Sequence, residues 1–336
     1  MATDRPAPSS PVTSTDVARL AGVSRATVSF VLNDTQGHRV SGATRDRVLV
    51  AAQQLGYVPH AAARALRAGR SNLVLLPAST AALGRLVSDL VDELHSELDR
   101  HGYTTVLHAG RFADAVTGAR AWAELRPAAV LALDGDRFSA QAADLLRRAG
   151  IRALLAVSAH PIAGVHTVSL DHAHIGATAA RHLIARGRQR IGVVMPQERG
   201  LSSFAEPRLA GARRVAAACT ATVTPVELAY TLESAAELAQ RWPDLGLDAV
   251  FGYNDDYAAL LMHAFQDAGI DVPGDVAVVG ADDLLEARLQ RPQLSSIRFD
   301  LPTAAQIADT IRLLIEDGAA PELPAVDFTL VHRQSS

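Results

Sequence analysis

The chain has 336 residues, enough for two or three domains with full cores, and its 49% hydrophobic and 20% charged residues exclude a largely disordered protein. A single cysteine, Cys219, excludes a disulfide framework and a cysteine-rich metal site; its Ala-rich surroundings predict a helix that holds the thiol as a small buried hydrophobe. Net charge is −4, yet residues 1–70 hold nine Arg against four acidic residues, and all 32 fixed cations are arginine, whose planar fork suits phosphates and guanine edges.

Residues 1–11, MATDRPAPSSP, read as a disordered tail without the apolar stretch of a leader. No later run approaches the roughly 18 apolar residues of a membrane span, so a cytoplasmic protein with no membrane partner is expected. Thr13 with Asp16 three residues on is a capping-box pattern before Val17, Leu20 and Ala21, and predicts a helix from about Ser14 that Gly22 ends. Ser24 then caps a second helix in which Val28, Val31 and Leu32 face inward while Arg25, Ala26, Ser29 and Phe30 point elsewhere. Two short helices joined by a Gly-containing turn have the geometry of a helix-turn-helix, although an ordinary helical hairpin in a core has the same spacing. A third helix, capped by Ser41, is expected over residues 42–55 up to Gly56, with Arg39, Arg45 and Arg47 clustered at its start. Residues 60–68 form an Ala-rich stretch too short to hold as an isolated helix in water.

From Leu73 onward, short apolar runs alternate with helical-period segments, the pattern of βαβ units and parallel sheets. Strands are expected at 73–79, 104–109, 128–133, 152–158 and 165–170, with a helix through Leu86, Leu90, Leu94 and Leu98 closed by Gly102 and another ending at Gly150. A second series follows: a helix over 173–186, a strand at 190–195, a helix from about Glu206 to Cys219, a strand at 248–253, a helix over 255–268 and a strand at 276–281. It closes with a strand at SSIRF, a helix over 303–316 and a strand at VDFTLVH.

The stretches "VTSTDVARLAGVSRATVSFVLN" and "VSGATRDRVLVAAQQLGYVPHAAARALRAG" resemble the DNA-binding headpiece and hinge of the lactose-repressor family of bacterial transcription regulators. "EPRLAGARRVAAA" and "NDDYAALLMHAFQDAGIDVPGDVAVVGADD" resemble that family's core, which is similar to periplasmic sugar-binding proteins. The resemblance implies an all-α helix-turn-helix headpiece (12–58), a hinge (59–70) and an α/β core (71–336) of two subdomains, each a parallel sheet with helices on both faces. The subdomains are expected at about 71–168 with 298–325, and 169–297 with 326–336.

By the same resemblance, Arg25, Ala26, Ser29 and Phe30 read bases, while Ser24, Thr27, Asn33, Arg39, Ser41, Thr44 and Arg45 hold phosphates. Leu66 matches the leucine that wedges into a minor-groove step. Arg208, Asn254, Asp282 and Ser79 fall where the family binds its effector, a sugar, nucleoside or similar molecule. Two departures stand out. At Phe30 most relatives place arginine, so an altered operator is expected, and the segment from Ser79 to Gly84 lacks the ring that stacks on a sugar, which counts against a sugar effector.

The reading is therefore a dimeric regulator, a repressor, that binds a near-palindromic operator in double-stranded DNA and is switched by a small molecule in the interdomain cleft. Cofactors, metals and catalysis are not expected. His172, His174 and His182 with Asp171 do not make a metal set, since the first two straddle a strand-to-helix junction, and the pairs Asp255/Asp256 and Asp282/Asp283 lack a nucleophile. The run from Arg186 to Arg190 reads as a solvated turn, and no helical zipper after His332 implies a tetramer. The alternatives are a small-molecule-binding protein with a vestigial headpiece that acts through a protein partner, and a sugar- or nucleotide-processing enzyme of the same fold class.

Overall fold

The computed structural model describes residues 12–32, 40–58, 71–77, 84–110, 112–135 and 138–336, and it divides into two units, Met1–Ser71 and Asn72–Ser336. In the first unit α1 (Ser14–Ala21), α2 (Arg25–Leu32) and α3 (Gly42–Leu55) enclose a small core of Val17, Ala18, Ala21, Val28, Val31, Val48, Ala51 and Ala52. The Asp16 carboxylate accepts both the Thr13 N–H at 3.0 Å and its hydroxyl at 2.7 Å, which fixes the first turn of α1. Gly22 and Gly56 close α1 and α3 at φ 66° and 63°, in the left-handed region where a Cβ is strained.

In the second unit a five-stranded parallel sheet runs β2-β1-β3-β4-β5, formed by β1 (Leu73–Pro77), β2 (Thr104–His108), β3 (Ala129–Ala132), β4 (Ala153–Ser158) and β5 (His166–Ser169). A second sheet contains β6 (Arg190–Pro196), β7 (Thr222–Leu228), β8 (Ala249–Phe251), β9 (Ala277–Ala281), β10 (Ser295–Asp300) and β11 (Asp327–Val331). Its order is β11-β10-β9-β8-β6-β7, parallel except for β10 with β11. Read from β6, this repeats the order of the first sheet and adds β11 at the edge.

Helices cover both faces of each sheet, and strand alternation explains how. In β1, Val74 and Leu76 point to α4 (Arg85–Arg100) and α12 (Ala304–Glu316), while Leu75 points to α5 (Ala115–Glu124) and α6 (Ala140–Arg148). On the second sheet α7 (His172–Ala185) and α8 (Ser202–Ala216) cover Ile191, Val193 and Phe251, and α9 (Leu232–Leu245) and α10 (Asp255–Asp267) cover Val194, Val250 and Val278. A short helix, α11 (Leu285–Leu289), follows β9. Although α12 follows a strand of the second sheet, it packs on the first, and β11 returns to the second, so the chain crosses between the halves three times.

Several expectations are corrected. Helix α8 begins at Ser202, four residues before the expected start, with Pro207 inside it, and ends at Ala216. Cys219 therefore lies beyond the helix and is exposed, not a buried hydrophobe. The strand β7 and the helix α9 had no counterpart in the sequence reading. β7 carries Pro225 and exposed Thr222 and Thr224, a composition tolerated because β7 is an edge strand paired only with β6. The Arg186–Arg190 run is no mere solvated turn, since Arg188 donates to the Pro273 and Gly274 carbonyls and Arg190 to the Gly246 carbonyl.

Candidate functional site

The headpiece presents the start of α2 to solvent. Val28 and Val31 are buried, which turns Ser24, Arg25 and Ala26 outward; Ser29 and Phe30, expected on the outer face, are half-buried and already engaged by neighbours. The Ser24 Oγ accepts the Thr27 N–H at 3.0 Å and lies 2.9 Å from the Thr27 hydroxyl, so both hydroxyls sit at the helix N-terminus, where backbone N–H groups favour an anion. At α3 the Ser41 hydroxyl donates to Thr44 Oγ1 at 2.9 Å and accepts the Thr44 N–H at 3.3 Å, and Arg47 reaches the same Thr44 oxygen at 3.3 Å. Arg45 is half-buried nearby. Asn33, Arg39, Leu66 and Ser79 lie outside the described residues.

The second cluster lies at the carboxyl ends of the strands, where open α/β sheets bind ligands at the point of reversed strand order. In the second sheet that point falls between β6 and β8, and Glu198 follows β6, Tyr230 follows β7, Asn254 follows β8 and Asp282 follows β9. Arg208, 6% exposed, lies in the second turn of α8; its Nη1 donates to the Tyr253 carbonyl at 2.5 Å and its Nε to His172 Nδ1 at 3.4 Å, with the guanidinium 4.5 Å from the Tyr253 ring centre. Burial, then the Arg208 charge, push the His172 imidazole down to about 3, so it stays neutral and accepts from the arginine.

Asn254 Oδ1 caps α10 by accepting the Tyr257 N–H at 3.1 Å, while its Nδ2 lies 3.4 Å from an Asp256 carboxylate oxygen. It thus fills the cap role that the sequence allows and keeps an amide group toward the cluster. Burial raises the Asp282 carboxyl to about 7 against the pull of Arg208, a sign that this acid lacks the full solvation or pairing its charge needs. The first half approaches closely. A Cβ on Gly84, just ahead of α4, would lie 3.8 Å from Asn254 Nδ2, and Ser203 donates to Asp134, in the loop after β3, at 3.1 Å.

Sequence reasoning missed four of these groups: Glu198, Tyr230, Tyr257 and the link from His172 to Arg208. The Glu198 carboxylate accepts the Tyr230 N–H at 2.6 Å and the Tyr257 hydroxyl; burial would raise its proton affinity, but these two donors outweigh it and hold the group below its usual value. The rings of Tyr230, Tyr257 and Tyr253 follow one another at 5.2 and 5.6 Å, and Tyr230 is 53% exposed. An aromatic face absent from the segment after β1 is thus supplied by the other half. No signal in the sequence pointed to it, because β7 itself was not legible.

Residues 13–60 match the family model of bacterial regulatory proteins, lacI family, and residues 180–336 match that of a periplasmic binding protein-like domain. The chain is 33% identical over 339 aligned positions to the HTH-type transcriptional regulator GalR of Salmonella typhimurium (strain SL1344), covering 95% of this chain and 94% of the relative. It belongs to the lacI family of bacterial regulatory proteins. The HTH-type transcriptional repressor PurR of Photobacterium profundum is 29% identical across 84% of this chain and 85% of the relative. Among solved structures, the lac repressor dimer bound to operator and the anti-inducer ONPF matches with a TM-score of 0.75 at 26% identity, covering 97% of this chain and 99% of that one. The CelR–cellobiose complex matches with a TM-score of 0.62 at 25% identity, over 97% of this chain and all 100% of that one. As a lacI family member, the chain is a helix-turn-helix transcription regulator with a periplasmic-binding-like core. Among the described residues no helix is long and apolar enough to cross a membrane, and no group of three or more His, Cys, Asp or Glu is placed to hold a metal.

Proposed function

We propose that this protein is a cytoplasmic repressor without catalytic turnover, which binds a near-palindromic operator as a homodimer and is switched by a small molecule held at the carboxyl ends of the strands. The observation that carries the reading is α2, whose first turn exposes Arg25 and Ala26 while Val28 and Val31 fix its other side in the headpiece core. Base contacts fall to Arg25, Ala26, Ser29 and Phe30, and phosphates to Ser24, Thr27, Ser41, Thr44 and Arg45, with Asn33, Arg39 and the hinge leucine Leu66 completing the set by resemblance. Residues 12–58 serve as the DNA unit, 59–70 as the hinge and 71–336 as the effector core.

The effector ligands are Arg208, Asn254 and Asp282, joined by the half-exposed Tyr230 ring; Ser79 is assigned by resemblance alone. An aromatic face beside carboxylate, amide and guanidinium groups suits a molecule with one flat face and several hydroxyl or amide groups, a sugar or nucleoside. Dimerisation is supported by α11, where Leu285 and Leu289 stand 66% and 63% exposed on one short helix.

A gel shift with operators selected from random DNA, run at two salt concentrations, tests the DNA half. Steeply salt-dependent affinity for one palindrome supports it, and weak, sequence-blind binding would sink it. Thermal-shift screening against sugars, nucleosides and purines, with Asp282→Ala as control, tests the cleft.

A further inference from the structure

The loop that carries Asp282 is strained and held from below. Asp282 and Asp283 both take positive φ, 103° and 51°, a conformation that non-glycine residues keep only where the surroundings over-determine it. Three backbone N–H groups of the loop are pinned in succession: Asp282 to the Ile297 carbonyl at 2.8 Å, Asp283 to Ser296 Oγ at 3.0 Å, and Leu284 to Asp255 Oδ2 at 2.8 Å. Ser296 in turn donates to Asp255 Oδ1 at 2.5 Å.

The Asp283 side chain adds a further hold on the loop, with exposed Arg288 4.0 Å from one carboxylate oxygen and largely buried Arg333 on the other. The Asp283 side chain is 2% exposed and pairs at 2.5 Å with Arg333, itself 10% exposed. Arg333 also donates from Nη1 to the Leu294 carbonyl at 2.8 Å and from its backbone N–H to Ser295 Oγ at 2.8 Å. The following residues anchor it: the Gln334 and Ser335 N–H groups reach the Gln293 carbonyl at 3.0 Å, and the Ser335 carbonyl accepts the Val278 N–H at 2.7 Å from β9. An arginine so tied cannot follow Asp283 if the loop rotates, and the peptide that joins Asp283 to Asp282 transmits that constraint.

We propose that Arg333 is the positioning residue for Asp282: by gripping Asp283 from a segment whose end, Ser335 and Ser336, is buried, it holds the left-handed turn that aims the Asp282 carboxylate into the cleft. The role in regulation rests on the reading of Asp282 as an effector ligand. A buried ion pair contributes little net stability compared with a well-packed apolar pair, but it fixes direction, which is what a ligand-bearing loop requires.

The test uses the full chain with Arg333→Met and with the double change Arg333→Met/Asp283→Leu, which leaves no orphaned buried carboxylate if the single variant fails to fold. Amide hydrogen exchange at Asp282, Asp283 and Leu284 is expected to quicken by about tenfold or more in both, while β6 and β8 keep their protection and operator binding is unchanged. Arg333→Lys should restore part of the protection, since an ammonium can still pair with Asp283. Unchanged exchange at the three loop amides, or a uniform rise across β8, β9 and β10, would overturn the proposal. Melting shifts of wild type and Asp282→Ala with cellobiose, galactose and adenosine as probes separate the two ideas. If the loop loosens as stated but Asp282→Ala responds to a probe as the wild type does, Arg333 still positions the loop and the effector assignment falls.

Discussion

At the scale of single residues, the site divides into groups that act through fixed chemistry and groups that hold them. Arg208 donates to His172 and to the Tyr253 carbonyl and stands over the Tyr253 ring, 4.5 Å from its centre, so its geometry is set before any ligand arrives. Arg208→Ala should abolish the ligand-induced change in operator affinity while operator binding itself stays within about twofold of the wild type, as measured by gel shift with and without the compound found by screening. Loss of operator binding as well would make Arg208 structural. At the other site, the family resemblance implies an arginine, able to bond guanine in two places, where this chain has Phe30. Phe30→Arg should shift the operators recovered from random DNA toward guanine at one position in each half-site, a preference of about 1–3 kcal/mol, and an unchanged selection would show that the half-buried ring does not face the bases. Arg208, Asn254 and Asp282 were singled out only by the resemblance of their stretches to the family's core, and Arg208 and Asn254 both act on the Asp282 carboxyl in the structure. Glu198, Tyr230 and His172 were not legible as site groups, because they meet only when β6, β7 and β8 lie side by side and α7 packs on α8.

At the scale of elements, that packing of α7 on α8 is the feature that places Arg208. A Cβ built on Gly176 would fall 1.8 Å from the Arg208 carbonyl oxygen, and one on Gly211 would fall 1.8 Å from the Ala173 carbonyl oxygen, so the two backbones touch at a reciprocal pair of glycines. Neither obstacle is a flexible side chain that could swing away. Gly176→Ala should therefore force the helices apart, costing about 1–3 kcal/mol, and weaken the effector response by displacing Arg208, whereas an alanine at exposed Gly42, where a Cβ meets nothing, should leave the melting temperature nearly unchanged. The sequence marks the existence of α7 and α8 through their apolar period but not this contact, since a glycine inside a helix reads the same whether it faces solvent or another backbone. Boundaries blurred for a related reason. The sequence predicts a start of α8 near Glu206, just ahead of Pro207, but the helix begins at Ser202, with Leu201 and Ala205 in the core, and carries the proline in its second turn. Strands buried on both faces, such as β3 and β9, were plain as unbroken apolar runs, while the edge strand β7, half solvent-facing and interrupted by Pro225, left no such trace.

For the whole molecule, Asp255, Asp282, His172 and His182, whose proton affinities burial shifts most, make stability depend on pH. Burial raises Asp255 to about 8, opposed by the hydrogen bond from Ser296, and raises Asp282 to about 7, so the folded chain binds these protons where the unfolded chain, with aspartates near 3.8, has lost them. Each acid therefore contributes stability that is full below 3.8 and lost as pH rises through its folded value. The histidines act in the opposite sense: burial, with Arg208, holds His172 near 3, and burial, with His332 and Arg186, holds His182 near 4, so both oppose folding as pH falls below 6.5. Between about pH 4 and 6.5 the two effects offset each other, and from 6.5 to about 8 the acids act alone. The melting temperature at constant ionic strength should be nearly level through mild acid, fall between pH 6.5 and 8, and flatten above. Asp255→Asn should reduce the fall, since an amide can still accept the Leu284 N–H but does not titrate. His172→Asn should make stability fall with rising pH in the acid range too, where the remaining histidine no longer balances two acids. A melting temperature that rises from pH 6.5 to 8 in the wild type would mean that Asp255 and Asp282 are ionised throughout, paired more strongly with Ser296 and Arg208 than burial penalises them.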